Sequence, residues 1–221
     1  MIKIVQFFRR CLMKSYRQKN LEAFSSLGIQ KDFPSKTILE VSGRPKSYVY
    51  LLLHGHVRQY FIAPEGTEKT LLLLSRGDLF GEITCLQQDH DQVFTQALSS
   101  VSVCQIPVKD FIALLQNDSS ISYAVNQMLS YKFRILMAQL QDSSFCDAGE
   151  RLKNLLLRLS AQQGRKTEYG IQIPCRYTHE ELAGMISSTR STVSRKMKFL
   201  REEGFLTIRG RYLYIHPPAE D

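Results

Sequence analysis

Residues 178–201, T-H-E-E-L-A-G-M-I-S-S-T-R-S-T-V-S-R-K-M-K-F-L-R, constrain the fold more than any other stretch of the chain. They read as two short helices across a tight turn. Thr178 caps the first, and Glu181 three residues later completes a capping box. Leu182, Met185 and Ile186 give that helix one apolar side, and Ala183 is small where a second helix must cross closely. Ser187 and Ser188 break the pattern and offer a new N-cap. The second helix buries Val193, Met197 and Leu200 at spacings of four and three. Its outward residues are Arg190, Ser191, Ser194, Arg195, Lys198 and Arg201. Arg forks onto guanine edges, Ser and Thr bond bases or phosphates, and Lys neutralises phosphate charge. The pattern predicts a helix-turn-helix whose second helix enters a DNA groove.

Charge supports a nucleic-acid partner. The formal net charge is +8, and residues 149–221 hold 13 Lys+Arg against 8 Asp+Glu, whereas the longer segment before them holds 16 against 13. The excess sits in the smaller C-terminal third, as an electrostatic footprint on DNA would. Met1 to Lys19 contains six cations and no acid. With no continuous apolar core or small-residue cleavage site, this stretch reads as an amphipathic leader packed on the first domain rather than a secretory signal. No apolar run is long enough to span a bilayer. The five cysteines, at 11, 85, 104, 146 and 175, lack the short spacing of a disulfide framework or zinc knuckle, and a reducing cytoplasm is the expected compartment. Cys85 stands out because it falls in what reads as a sensing loop.

From Lys31 to Val108 the chain reads as short strands paced by glycines at 43, 55, 66, 77 and 81. Tyr48–Leu53, Val57–Ile62 and Thr70–Leu74 are rich in β-branched, aromatic and aliphatic residues, Pro64-Glu65-Gly66 is a hairpin turn, and further strands run from Phe94 to Ile106. The spacing predicts an antiparallel sandwich or barrel. A long helix then runs from a cap at Asp118 or Ser119 to about Asp142. One stripe is Ile121, Val125, Met128 and Ile135, interrupted by Lys132. The other is Leu129, Phe133, Leu136 and Leu140. A helix apolar on two sides must bury both, and its own copy in a second subunit is the simplest partner for the outer one. Ser143-Ser144 and Asp147-Ala148-Gly149 mark a hinge. A helix from Glu150 to Gln163, ended by Gly164, and a strand Ile171–Pro174 lead into the helix-turn-helix. Phe205–Ile208 and Arg211–Ile215 form a hairpin wing, with Arg209 and Arg211 at its tip. Catalysis would need a nucleophile, base and orienter at workable spacing. None is legible, and Asp89-His90-Asp91 reads as a polar loop.

This order of elements resembles the Crp/Fnr superfamily of bacterial transcription regulators. The resemblance covers nearly the whole chain after about residue 20. Gly77–Glu82 (G-D-L-F-G-E) is similar to the family's phosphate-binding cassette, Thr189–Arg195 (T-R-S-T-V-S-R) to its recognition helix, and Leu51–Val57 to its strand–Gly–strand turn. It implies an α+β architecture: an N-terminal antiparallel β-barrel (jelly roll), a long dimerisation helix and a C-terminal winged helix-turn-helix. The corresponding domains are a sensory cyclic-nucleotide-binding-like domain with basic leader over 1–117, a helix and hinge over 118–147, and a DNA-binding domain over 148–221. Expected partners are double-stranded DNA, a second copy of the chain, RNA polymerase and a small effector, with no membrane. Carried onto this sequence, the DNA-binding set is Thr178, His179, Ser188, Thr189, Arg190, Ser191, Thr192, Ser194, Arg195, Lys196, Lys198, Arg209 and Arg211. The effector set is Phe80, Gly81, Glu82, Ile83, Arg134 and Gln139, with no metal site.

The departures matter. Cyclic-nucleotide-binding members follow the Gly-Glu pair that binds ribose with an Arg-Ser pair that grips phosphate. Here no Arg or Lys occurs between Arg76 and Lys109, and a buried phosphate without a cation is costly, so cAMP is not the expected effector. The loop from Gly81 to Ala97 is closer in length to that of the NtcA-like regulators, which bind 2-oxoglutarate. In that comparison Arg134 matches an effector-contacting Arg, Gln139 replaces an acid and Val93 replaces a second Arg. Control by abundance, without an effector, is the other alternative. With Cys11 alone near the N-terminus, no iron–sulfur cluster is expected, and His54, His56 and His90 do not make haem the expected cofactor. Many members carry Glu where this chain has Ser191, so the half-site should differ from theirs.

Overall fold

The computed structural model describes residues 12–41, 43, 47–89 and 92–217. Most of the basic leader, Cys11, His90 and Asp91 lie outside the described residues. The chain divides between Leu136 and Met137 into two compact units.

The N-terminal unit begins with α1 (Leu12–Phe24) and continues through β1 (Ile29–Phe33), β2 (Ile38–Glu40), β3 (Tyr48–His54), β4 (Val57–Ile62), β5 (Glu68–Leu74), β6 (Leu79–Phe80), α2 (Glu82–Gln87), β7 (Phe94–Ala97) and β8 (Val101–Pro107). Alternation decides which face is buried. Thr70, Leu72 and Leu74 of β5 point inward, and a bulge between Gln59 and Tyr60 turns both of these inward on β4. Gly55 makes the β3–β4 turn at a φ of +87°, where a Cβ would lie 2.4 Å from the Ser100 carbonyl oxygen. The eight strands form two four-stranded antiparallel sheets, ordered β1-β8-β3-β6 and β2-β7-β4-β5. This is the expected jelly roll: a pair of sheets, with no ladder joining them into a closed ring among the described residues.

One sheet is covered by helices. Tyr16 and Phe24 of α1, Phe111 of α3 (Val108–Asn117), and Ile121, Val125 and Met128 of α4 (Ser119–Phe145) pack with Val49, Leu51 and Ile106 in one core. The α1 helix continues past Lys19, the last residue of the basic stretch, to Phe24. It also clamps the turn before β6. Arg17 donates from Nε and Nη2 to the two Asp78 carboxylate oxygens at 2.9 and 2.7 Å, Tyr16 donates to Asp78 Oδ1 at 3.0 Å, and Asn20 donates to the Gly77 carbonyl at 3.1 Å. Burial, reinforced by the Asp78 charge, pushes the Tyr16 phenol far above its ordinary pKa. Asp118 caps α4, accepting from the Ser120 and Ile121 amides at 2.9 and 3.2 Å.

Helix α4 runs three residues beyond the expected end, into the second unit. Ser143 and Ser144 lie inside it rather than at a hinge, and both hydroxyls donate back to the Leu140 carbonyl at 2.9 Å. The break falls at Cys146-Asp147. Asp147 caps α5 (Ala148–Gln163) through a capping box with Glu150. Gly164 ends that helix at an ordinary φ of −67°, and its small size answers crowding instead: a Cβ would meet the Ser160 carbonyl oxygen at 2.2 Å. A strand not anticipated from sequence, β9 (Arg165–Thr167), pairs with β10 (Gly170–Ile173). After α6 (His179–Ile186) and α7 (Arg190–Glu202), the wing strands β11 (Leu206–Arg209) and β12 (Tyr212–Ile215) complete a sheet ordered β11-β12-β10-β9.

The inter-helix turn differs from the expected Ser187/Ser188 cap. Thr189 caps α7, accepting from the Thr192 amide at 3.2 Å, while Ser187 ends α6 in the left-handed region at φ +51°. Residues with a Cβ are disfavoured there by about 1–2 kcal/mol. Ser187→Gly should therefore equal or exceed the wild-type stability in urea unfolding, and Ser187→Val should fall about 1–2 kcal/mol below the Gly variant.

Candidate nucleic-acid interface

The core of the C-terminal unit fixes which way the recognition face looks. Val193, Met197 and Leu200 bury one side of α7, as their spacing predicts, against Leu182, Ala183 and Ile186 of α6 and the leucines of α5. The opposite side is therefore solvent-facing. Arg190, Ser191, Ser194, Arg195, Lys198 and Arg201 are all exposed. His179, Ser191, Ser194, Arg195, Lys198 and Arg201 line one open groove, with Met197 and Ile208 as its apolar edge. The expected capping box is present: the Thr178 hydroxyl accepts from the Glu181 amide at 3.1 Å, and the Thr178 amide donates to Glu181 Oε2 at 2.6 Å. The Thr189 hydroxyl bonds Ser191 Oγ and Thr192 Oγ1, each at 3.0 Å. These hydroxyls thus form a network at the N-terminus of α7, where amide donors and the helix dipole favour a phosphate. Ser188 is half-buried and its amide donates to the Ala183 carbonyl at 3.0 Å.

Lys196 departs from the carried-over set. Its ammonium lies 3.5 Å from Asp147 at the N-terminus of α5, away from the groove-lining residues. The Asp147 carboxylate accepts the Glu150 and Gly149 amides, which hold it below the usual carboxylate range, and Lys196 adds to the effect. At the wing, Arg209 and Arg211 are exposed, and Arg209 stacks on the Tyr169 ring at 3.7 Å. Arg176, Arg165 and Lys166 are further exposed cations in this unit that sequence reasoning passed over. Arg176 stacks on Tyr212. Arg165 and Lys166 belong to the wing sheet through β9, which the sequence does not announce.

Two interactions tie this face to the end of α4. Arg151 donates from Nε to the Ile186 carbonyl and from Nη1 to the Cys146 carbonyl, both at 3.0 Å, so one side chain satisfies the C-termini of α6 and α4. Arg158 Nη1 pairs with Asp142 Oδ2 inside the unit, and Asn154 donates to Asp142 Oδ1 at 2.8 Å.

The effector set is distributed differently from expectation. Phe80 is buried and stacked on Tyr50 with ring centroids 4.8 Å apart. Gly81 has a φ of +83°, and a Cβ there would come within 2.9 Å of Glu40 Oε1. Glu82 is buried at the start of α2. Ile83 points outward from the same helix and is exposed. Arg134 is exposed on α4, because its position is offset from the inward stripe of Met128 and Ile135. Gln139 belongs to the C-terminal unit. The cation that meets the Gly-Glu pair is Lys132, read from sequence only as an interruption of an apolar stripe: its Nζ lies 2.7 Å from Glu82 Oε1 and 2.7 Å from the Leu79 carbonyl oxygen. Cys85 lies in α2 rather than in a loop, and burial, with the Glu82 charge, raises its thiol pKa. That environment disfavours the thiolate a redox sensor needs.

Among the described residues, no helix is long and apolar enough to cross a membrane, and no group of three or more His, Cys, Asp or Glu is placed to hold a metal.

Comparison with known proteins gives two family matches. Residues 30–118 match the cyclic nucleotide-binding domain and residues 150–220 the Crp-like helix-turn-helix domain. The chain is 25% identical over 207 residues to the cAMP-activated global transcriptional regulator CRP of Salmonella typhimurium, covering 93% of this chain and 98% of that protein. It is 26% identical over 212 residues to the global nitrogen regulator of Nostoc sp., covering 95% and 94%. Among solved structures, a CooA mutant from Carboxydothermus hydrogenoformans superposes with a TM-score of 0.73 at 26% identity, over 85% of this chain and 83% of that one. The c-di-GMP responsive global regulator CLP of Xanthomonas campestris superposes with a TM-score of 0.76 at 21% identity, over 90% and 99%, a likeness of fold.

Proposed function

The chain belongs to the Crp/Fnr family of DNA-binding transcription regulators, and from that premise we propose that it acts as a homodimer on palindromic promoter sites, with RNA polymerase as the further partner. The observation that carries the reading is the exposed face of α7, where Arg190, Ser191, Ser194, Arg195, Lys198 and Arg201 are presented together. In the proposed dimer the outer stripes of two α4 helices pair, and two α7 helices enter successive major grooves about 34 Å apart. Arg190 and Arg195 read guanine edges, and Ser194, Lys198 and the hydroxyls at the start of α7 hold the phosphates. Arg209 and Arg211 of the wing meet the flanking backbone. Thr178 and His179 approach it from the N-terminus of α6. Ser191 is shorter than a Glu and carries no charge to favour the cytosine amino group, so that base position should be relaxed or changed.

Selection from randomised duplex DNA by the purified chain tests the proposal. A two-fold palindrome should emerge, differing from TGTGA half-sites. Arg195→Ala should weaken binding to the selected site by about 1–3 kcal/mol and relax one base position, in titrations at fixed salt. Recovery of an unaltered TGTGA palindrome would refute the reading of Ser191, and an unchanged affinity would remove Arg195 from the readout. The proposed compartment is the cytoplasm.

A further inference from the structure

Lys132 lies on the side of α4 that otherwise buries Ile121, Val125, Met128 and Ile135. An apolar residue would pack there without desolvating a charge. Instead the ammonium donates to Glu82 Oε1 and to the Leu79 carbonyl, both at 2.7 Å, with the Lys132 and Glu82 side chains 5% and 1% exposed. Replacing a buried ion pair with apolar residues of similar volume is often neutral or stabilising, so stability alone does not account for this pair. It joins the Gly81-Glu82 segment of the sheets to the long helix, which is where an effector would have to act to shift α4.

We propose that Lys132 is an effector built into the chain. Its ammonium occupies the hydrogen-bonding position at Glu82 that a diffusible donor would otherwise take, and holds α4 in its DNA-binding register without a ligand. The electrostatics agree with this assignment. Glu40 is also buried, its Oε2 accepting from the Thr95 hydroxyl at 2.7 Å, and its Oε1 lies over Gly81. An anionic effector entering at Gly81-Glu82 would meet two carboxylates and an ammonium already engaged. The pair therefore discriminates against phosphates and dicarboxylates at this position. Regulation then works through the amount of protein. This inference rests on the DNA-binding reading above.

The test uses the full chain refolded from denaturant, which strips retained small molecules. The wild type should bind its selected palindrome equally well with and without cAMP or 2-oxoglutarate. Lys132→Ala removes three methylenes and the ammonium, leaving a space shaped for n-propylammonium. That variant should bind DNA roughly tenfold or more weakly, within the usual range of allosteric coupling. Added n-propylammonium should restore affinity and raise the melting temperature, whereas tetramethylammonium, with the same charge and no N–H donor, should do neither. The double variant Glu82→Leu/Lys132→Leu strands neither member of the pair as an unpaired buried charge, so it should fold even where Lys132→Ala does not. It should show the same weakened DNA binding and no response to n-propylammonium. Wild-type affinity in either variant, no response of Lys132→Ala to n-propylammonium, or a wild-type chain that requires an added ligand overturns the inference. A wild-type chain that selects no sequence with or without ligand overturns the regulator reading itself, and is told apart because it is read before any variant is made.

Discussion

Asp142→Ala is expected to cost the C-terminal unit about 3–5 kcal/mol, a large share of the roughly 5–15 kcal/mol available to a folded domain. Both members of the pair are nearly sealed from water, Asp142 at 5% and Arg158 at 6% exposure. Removing the carboxylate strands the guanidinium in a site that cannot hydrate it, and deprives Asn154 of an acceptor. The loss reflects the stranded charge more than the strength of the pair. Substituting both, Asp142→Leu with Arg158→Leu, should therefore recover most of the stability that either single change removes. Urea unfolding of the two single variants and the double variant measures this. Additive losses in the double variant would show that the two side chains are not energetically coupled.

Phe133→Glu combined with Leu140→Glu should yield a monomer and weaken binding to a palindromic site by about 10²–10⁴-fold, the avidity lost when two linked half-site contacts become independent. Phe133 and Leu140 are 63% and 59% exposed, two turns apart on one side of α4, with Leu136 and Met137 between them. A row of large apolar side chains in water is a liability unless a partner covers it. The charges should leave the fold intact because neither position belongs to the core. Sedimentation gives the oligomeric state, and titration against full palindromes and single half-sites gives the affinity. A double variant that stays dimeric would place the dimer contact elsewhere.

Much of this architecture is legible in the sequence because it follows from periodicity and from caps. The capping box at Thr178, the inward set Val193, Met197 and Leu200, and the two stripes of α4 are local patterns that packing does not need to arbitrate. What stays hidden is long-range pairing of polar groups. Nothing in the neighbourhood of Lys132 announces that its partner is 50 residues earlier, and hydropathy alone reads it as a flaw in a stripe. The Arg151 bonds to Cys146 and Ile186 are hidden for the same reason, since any carbonyl at a helix end serves a guanidinium equally well. A serine pair looks like an N-cap, whereas the structure uses Ser187 in the left-handed conformation and leaves the cap to Thr189. The family resemblance points to Arg134, and helical phase is what separates the two cations: Lys132 shares the inward stripe, whereas Arg134 is exposed.

The clamp of Arg17 and Tyr16 on Asp78 also bears on how the chain is made. Its members are 61 and 62 residues apart, so during synthesis α1 emerges long before the carboxylate that fixes it. The apolar side of α1, Tyr16, Leu21 and Phe24, waits longer still, because Ile106, Phe111 and Met128 of its core follow Asp78 in the chain. Contacts of this separation slow folding and prolong exposure of sticky surface. Yield in the cell at elevated growth temperature should therefore depend on Asp78 more steeply than equilibrium stability does, making this turn a checkpoint for biogenesis as well as a strut.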